Sequence, residues 1–321
     1  MLKRGMTETQ FNWIFIAIAG AVILLFFFSF VQKQKSTEEQ KSDITIEKNL
    51  QSILTGAEVS KQTENIISVP DIEISYSCEG FSIGSLDAFN PRIVFSSSLL
   101  KSNNRQLIFY SLEWRVPFRT SNFLYVTSPE VRYIIVDDND LDDDSIANQL
   151  YNSLPENMDK EIVLSSETIA NKNNYKIKIV FFDAENLNLN SINGEISKIK
   201  IIPIKDGLDG YGKIEFDDGI QYYLKKESVI AAVFSEDKEI YECNIKKAMK
   251  RMKNVYEVYG KRINEINEKY TEDNHVCKDV YDSSLFDINP DLSNTPNIYK
   301  NMESLEDKNQ IIAIKSCALM Y

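Results

Sequence analysis

The residues able to do chemistry lie in three places in a chain otherwise poor in reactive side chains. The densest is Asp137-Asp138-Asn139-Asp140-Leu141-Asp142-Asp143-Asp144, where Asp137, Asp138, Asp140 and Asp142 form a candidate divalent-cation cluster. Carboxylates at alternate positions suit a hard cation such as Ca²⁺. An EF-hand loop starting at Asp138 requires Gly at its sixth position and Glu at its twelfth, and the chain has Asp143 and Gln149 there. The simpler reading is a strand-to-helix turn whose acids complement the positive end of a helix beginning near Asp143. The second place is Trp114-Arg115-Val116-Pro117-Phe118-Arg119. Here Arg115 and Arg119 could grip an anion or an acidic glycan through bidentate bonds and stacking. The simpler reading packs Trp114 and Phe118 into the core and leaves both guanidiniums solvated.

Four cysteines, Cys78, Cys243, Cys277 and Cys317, form the third group. They contain no C-x-x-C pair, and only His275 with Cys277 approaches the spacing of a zinc site, so disulfides fit better than a metal. All three pairings of four cysteines are open. The pair Cys243 with Cys277 is disfavoured, because a helix from Cys243 to about Tyr270 carries the chain roughly 40 Å away and seven extended residues return only about 23 Å. Gly260 is where such a helix could break. No G-x-S-x-G elbow accompanies the single His275, and no Walker or G-x-G-x-x-G loop occurs. The expectation is therefore a non-enzyme with no cofactor and no catalytic residues. A formal net charge of −12 argues against nucleic-acid partners, which require clustered Lys and Arg.

Among the elements that must position these residues, the first is an uncharged apolar run over residues 11–31, preceded by Lys3 and Arg4. As a helix it spans roughly 30 Å, the thickness of a bilayer's hydrocarbon core, so a retained transmembrane helix is expected. It is longer than the apolar core of a cleaved secretory signal. Lysines on both sides nearly balance the positive-inside count. The order Lys3-Arg4-Gly5, then Met6-Thr7-Glu8-Thr9-Gln10, then Phe11 and the apolar run, resembles the class III signal of archaeal type IV pilins and pilin-like proteins. The resemblance covers about the first thirty residues. It implies a cut between Gly5 and Met6, a cytoplasmic N-terminus and an extracellular remainder. Gln10 stands at the fifth position after that cut, where the family commonly has Glu. The simpler reading is an uncleaved signal-anchor with a basic N-terminus, which has the same orientation.

Beyond the run, residues 32–66 read as a helical stalk or linker, with a stop at Thr55-Gly56. Residues 72–76, 92–95 and 106–113 alternate at the strand period, and residues 131–136 and 175–182 read as buried strands with a helix over 143–154 between them. The segment YIIVDDND, with Asp183 after KIKIVFF, is similar to the first strand, acid pair and phosphoacceptor of response-regulator receiver domains. Residues 201–205 end without the Ser or Thr of that family. The likeness is read as shared topology rather than phosphotransfer. A long helix from about Asp237 to Tyr270 carries Ile245, Met249, Met252, Val255 and Val258 on one face, and the polar tail holds a short helix near 299–305.

The expected organisation is a cytoplasmic N-terminus (1–10), a transmembrane helix (11–31), a stalk (32–66), a β-rich then α/β domain (67–235), a long amphipathic helix (236–270) and an irregular tail (271–321). The fold class is α+β or α/β, with a mixed sheet flanked by helices. The functional expectation is a single-pass surface protein with a structural or interaction role, pilin-like in its narrower form. A ligand-binding or sensor module is the alternative, followed by a carboxylate-dependent enzyme. The expected partners are the lipid bilayer and other membrane or surface proteins.

Overall fold

A computed structural model of the chain describes residues 4–60, 62–102, 106–137, 145–182, 187–189, 193–278 and 280–321. Side chains along the first helix are described at residues 18, 20–34, 41 and from 43 onward. The chain divides into two compact units, Met1–Leu50 and Gln51–Tyr321. The first unit is helical throughout its described length, as the start of α1 (Arg4–Val59). Its described residues from 21 to 34 are all exposed. Among the described residues no helix is long and apolar enough to cross a membrane, and the described side chains of the apolar run begin only at Ile18.

The second unit opens with the last turns of α1. Leu54 and Ala57 are buried on one face and bracket Gly56, so packing carries the helix past the expected stop to Val59. The helix end is closed by side chains from the neighbouring sheet instead of by a glycine. Ser111 Oγ donates to the Ala57 carbonyl at 2.8 Å, and Asn122 Nδ2 donates to the same carbonyl at 3.2 Å and to that of Ser60. These bonds satisfy carbonyls that a helix terminus leaves without partners. A strand, β1 (Gln62–Ser68), follows at once, so the segment 32–66 is not stalk to its end.

The next strands are β2 (Glu73–Tyr76), β3 (Gly80–Ile83), β4 (Leu86–Phe89), β5 (Val94–Ser96), β6 (Leu99–Lys101), β7 (Gln106–Arg115) and β8 (Arg119–Thr127). They form two four-stranded sheets in the orders β1-β7-β8-β5 and β4-β3-β2-β6. Gly80 lets β3 and β4 approach, since a Cβ there would lie 2.0 Å from the Ala88 carbonyl oxygen. The third sheet comprises β9 (Val131–Asp137), β10 (Asp159–Leu164), β11 (Lys176–Phe181), β12 (Glu195–Lys205), β13 (Tyr211–Phe216) and β14 (Gly219–Leu224), ordered β10-β9-β11-β12-β13-β14. Its first four strands are parallel and the last two antiparallel, so the sheet is mixed as expected. Ile134, Val136, Ile177, Ile179 and Phe181 form its apolar face with Val163 and Ile169. The parallel part begins in the doubly wound order 2-1-3-4. Among the described residues, however, only the connection from β9 to β10 carries a helix, α2 (Ile146–Ser153). That helix starts later than expected and is capped by Ser145, whose Oγ accepts from the Asn148 N–H at 3.1 Å.

Helix α3 (Lys226–Phe234) lies between the first and third sheets, and every residue from Ser228 to Phe234 is buried. The turn that ends it is reached from β11: the Lys178 ammonium donates to the carbonyls of the C-cap residue Ser235 and of Glu236 just beyond, the latter at 3.0 Å. Two residues along the strand, the buried Lys176 pairs with the Glu236 carboxylate. Helix α4 (Lys238–Glu272) follows, capped by Asp237 accepting from the Ile240 N–H at 2.8 Å. Ile245, Met249 and Met252 are buried as expected, but Val258 is exposed and Val255 only partly covered. The helical period continues the buried face through Tyr256 and Ile263. Phe118 packs on this face, with ring centroids 4.9 Å from Tyr256, 4.4 Å from Tyr259 and 5.1 Å from Tyr321. The tail is more regular than expected. Its helix α5 (Thr295–Ile314) has 20 residues and buries Ile298, Met302, Leu305 and Ile312.

Two disulfides staple this unit. Cys78 pairs with Cys243 and Cys277 with Cys317, each with Cα atoms 6.0 Å apart. The disfavoured pair is not formed, and α4 runs unbroken through Gly260, which faces Phe286.

The disulfides close separate loops of 165 and 40 residues, so chain entropy makes their removal cost about 5 and about 4 kcal/mol. Urea unfolding of Cys78→Ala/Cys243→Ala beside Cys277→Ala/Cys317→Ala measures both, and the first pair should be the more damaging. Burial lowers the Lys178 ammonium from its ordinary 10.5 to about 8. The folded state therefore disfavours the proton that the unfolded chain still holds, and this group makes stability rise as pH climbs from about 8 towards 10.5. Denaturation midpoints across that range should rise more steeply in the parent than in Lys178→Met.

Candidate functional site

Strands β7 and β8 meet in a hairpin whose register places Arg115 opposite Arg119, and its turn contains a cis Val116-Pro117 bond. Trp114 and Phe118 are buried, with the Trp114 indole N–H donating to the Leu224 carbonyl at 3.1 Å. Both guanidiniums reach one carboxylate. Arg115 bonds Glu113 Oε2 through Nε at 3.0 Å and Nη2 at 2.9 Å, while Arg119 Nη1 lies 3.2 Å from Glu113 Oε1. Arg119 also donates to Asn122 Oδ1 at 3.2 and 2.8 Å. The pair is thus brought together, as an anion site requires, but Glu113 already supplies the anion. A neighbouring carboxylate, Glu58, binds Arg92 at 3.3 Å and Arg251 at 2.8 Å. Arg92, Arg119 and Arg251 lie around the C-terminal turn of α1, where positive charge complements the helix dipole.

Of the acidic cluster, Asp137 is the buried last residue of β9. Asp138, Asp140 and Asp142 lie outside the described residues, as does Asp183. Gly5 and Met6 belong to the first turns of α1, and their surroundings are not described. His275 and Cys277 are neighbours, but the cysteine is in a disulfide and its N–H donates to His275 Nδ1 at 3.2 Å. Among the described residues no group of three or more His, Cys, Asp or Glu is arranged to hold a metal.

The feature that spacing alone did not reveal is a polar cleft of about 510 Å³ where β1, the end of α2 and the first turn of α3 meet. Glu64, Glu156 and Glu227 line it, with Tyr110 and Lys226. Tyr110 is held by the Gln62 amide, which donates to its hydroxyl at 3.3 Å, and Asn157 Nδ2 donates to Glu64 Oε1 at 2.6 Å. Burial raises the Glu227 carboxyl above its usual range. The nearby Lys160 ammonium is engaged by the carbonyls of Tyr151 and Leu154 at 2.8 and 2.7 Å, closing the end of α2. The three acids are far apart in sequence and share no motif, so only the fold gathers them.

No family model matches the chain, and neither a curated protein nor a solved structure does.

The shared carboxylate makes the arginine pair testable. Glu113→Gln should lower stability by about 1 kcal/mol, the scale of a partly exposed ion pair, and should uncover anion binding. Sulfate is expected to raise the melting temperature of the variant and leave the parent unchanged. Equal stabilisation of both proteins would show that the arginines take an anion with Glu113 in place.

Proposed function

We propose that the chain is a single-pass membrane protein whose C-terminal unit is held outside the cytoplasm in a non-enzymatic structural or interaction role. The observation that carries this reading is the apolar run of residues 11–31. Its described large side chains, from Ile18 to Val31, are 55 to 71 % exposed. A helix apolar on every side requires an apolar environment, and lipid supplies one. The two disulfides support an oxidising compartment, since such bonds are rare in reducing cytosol. In its narrower, pilin-like form the reading rests on Lys3-Arg4-Gly5 ahead of the run. The cleft at Glu227 favours a second reading, a ligand-binding or sensor module.

High-pH carbonate extraction tests the anchor. The full chain should stay in the membrane pellet, and a chain beginning at residue 32 should move to the supernatant. Release of the full chain would refute anchoring. Intact mass without reduction reports the N-terminus at the same time: a start at Met6 supports the pilin-like form, and an intact Met1 rules it out.

A further inference from the structure

Strand β1 ends its sheet, paired only with β7. The pairing is in continuous register from Gln62 opposite Leu112 to Ser68 opposite Gln106. Its other edge has no backbone partner among the described residues. Edge strands are usually shortened, bulged, covered, or guarded by Lys or Pro, because open backbone groups template another strand. β1 lacks the bulge, the Lys and the Pro among these protections. It has 7 residues and a single charge, Glu64. Both faces are largely open, and Ile66 is 45 % exposed.

The cleft lies over the face that the N-terminal half of β1 shares with β7, and it has a definite sign. Glu64, Glu156 and Glu227 line it against one lysine, Lys226, and Lys160 is already committed to the carbonyls of α2. We propose that β1 accepts an extended segment of a partner protein as an added strand, with a lysine or arginine of that segment entering the acidic cleft. Main-chain bonds to the edge supply affinity in this mode, and the side-chain pocket supplies selectivity. Burial of Glu227 fits this occupant, since a cation in the cleft restores the charged form that burial disfavours. A second copy of this chain is a poor occupant. Self-pairing of β1 would bring two acidic clefts together on a chain of net charge −12.

The inference rests on the interaction role proposed above, but carbonate extraction does not involve β1, so each can fail alone. The test uses the full chain in detergent micelles and a nine-residue peptide of alternating Thr and Lys, with the Thr and Glu peptide as control. Hydrogen exchange of the 62–68 amides should slow with the lysine peptide and not with the glutamate one. Glu64→Gln/Glu156→Gln should weaken the effect about tenfold, the scale of a lost charge complement. Added salt should weaken it in the parent, a readout that does not depend on the variant folding. Unchanged exchange with the lysine peptide at millimolar concentration would overturn the proposal. Equal protection by both peptides, or protection of 62–68 by self-association without peptide, would overturn it too.

Discussion

A helix buried on all sides dictates much of the second unit's design. From Ser228 to Phe234 every residue of α3 is buried, so polar groups near its ends must find partners inside the protein. At its start the Ser228 hydroxyl meets both main-chain groups of Leu224, and the Tyr125 hydroxyl donates to the Glu227 carbonyl at 2.9 Å. At its end an ammonium does the work, because Lys178 has donors and no acceptor of its own. β11 must therefore carry two lysines in an otherwise apolar run, and Glu236 must lie beyond the helix to balance them. The aromatic rings around Phe234 follow the same logic, with Tyr125 and Tyr133 at 5.2 and 5.6 Å filling the space between helix and sheets.

The same solution recurs wherever a helix ends in the interior. Ser111 and Asn122 close α1, Lys160 closes α2, and Lys178 closes α3. In each case a strand or the chain beside it supplies the donor. This explains why a chain with few glycines can still end its helices inside a packed domain. It also places the acidic cleft, which lies where the end of α2 and the beginning of α3 meet β1.

Elements with a clear helical period or an unbroken apolar run were legible in the sequence. The α4 period and its start near Asp237 were readable, as were the apolar runs of β9 and β11. α3 was not, because a helix buried all round shows no period to distinguish it from a strand. Of α5 only the stretch near 299–305 was legible, for the opposite reason: its buried positions are diluted by Asn, Lys and Glu on a largely open surface. Gly56 shows local preference overruled by packing, and Val258 shows how a small drift in helical phase moves a residue off the buried face. Among the site residues, Arg115 and Arg119 were close enough in sequence to be seen together. Glu113, which joins them, was not recognised as their partner, and the three acids of the cleft come from β1, the loop after α2 and α3.

The two disulfides do not overlap along the chain, and this sets the order in which thiols meet. In a chain synthesised from its N-terminus, Cys78 waits through 165 residues before another cysteine appears, and that cysteine is its native partner. Cys277 and Cys317 emerge afterwards, with the first bridge already able to close. Pairing each cysteine with the next one available yields the native connectivity, so the chain can reach it without reshuffling by an isomerase.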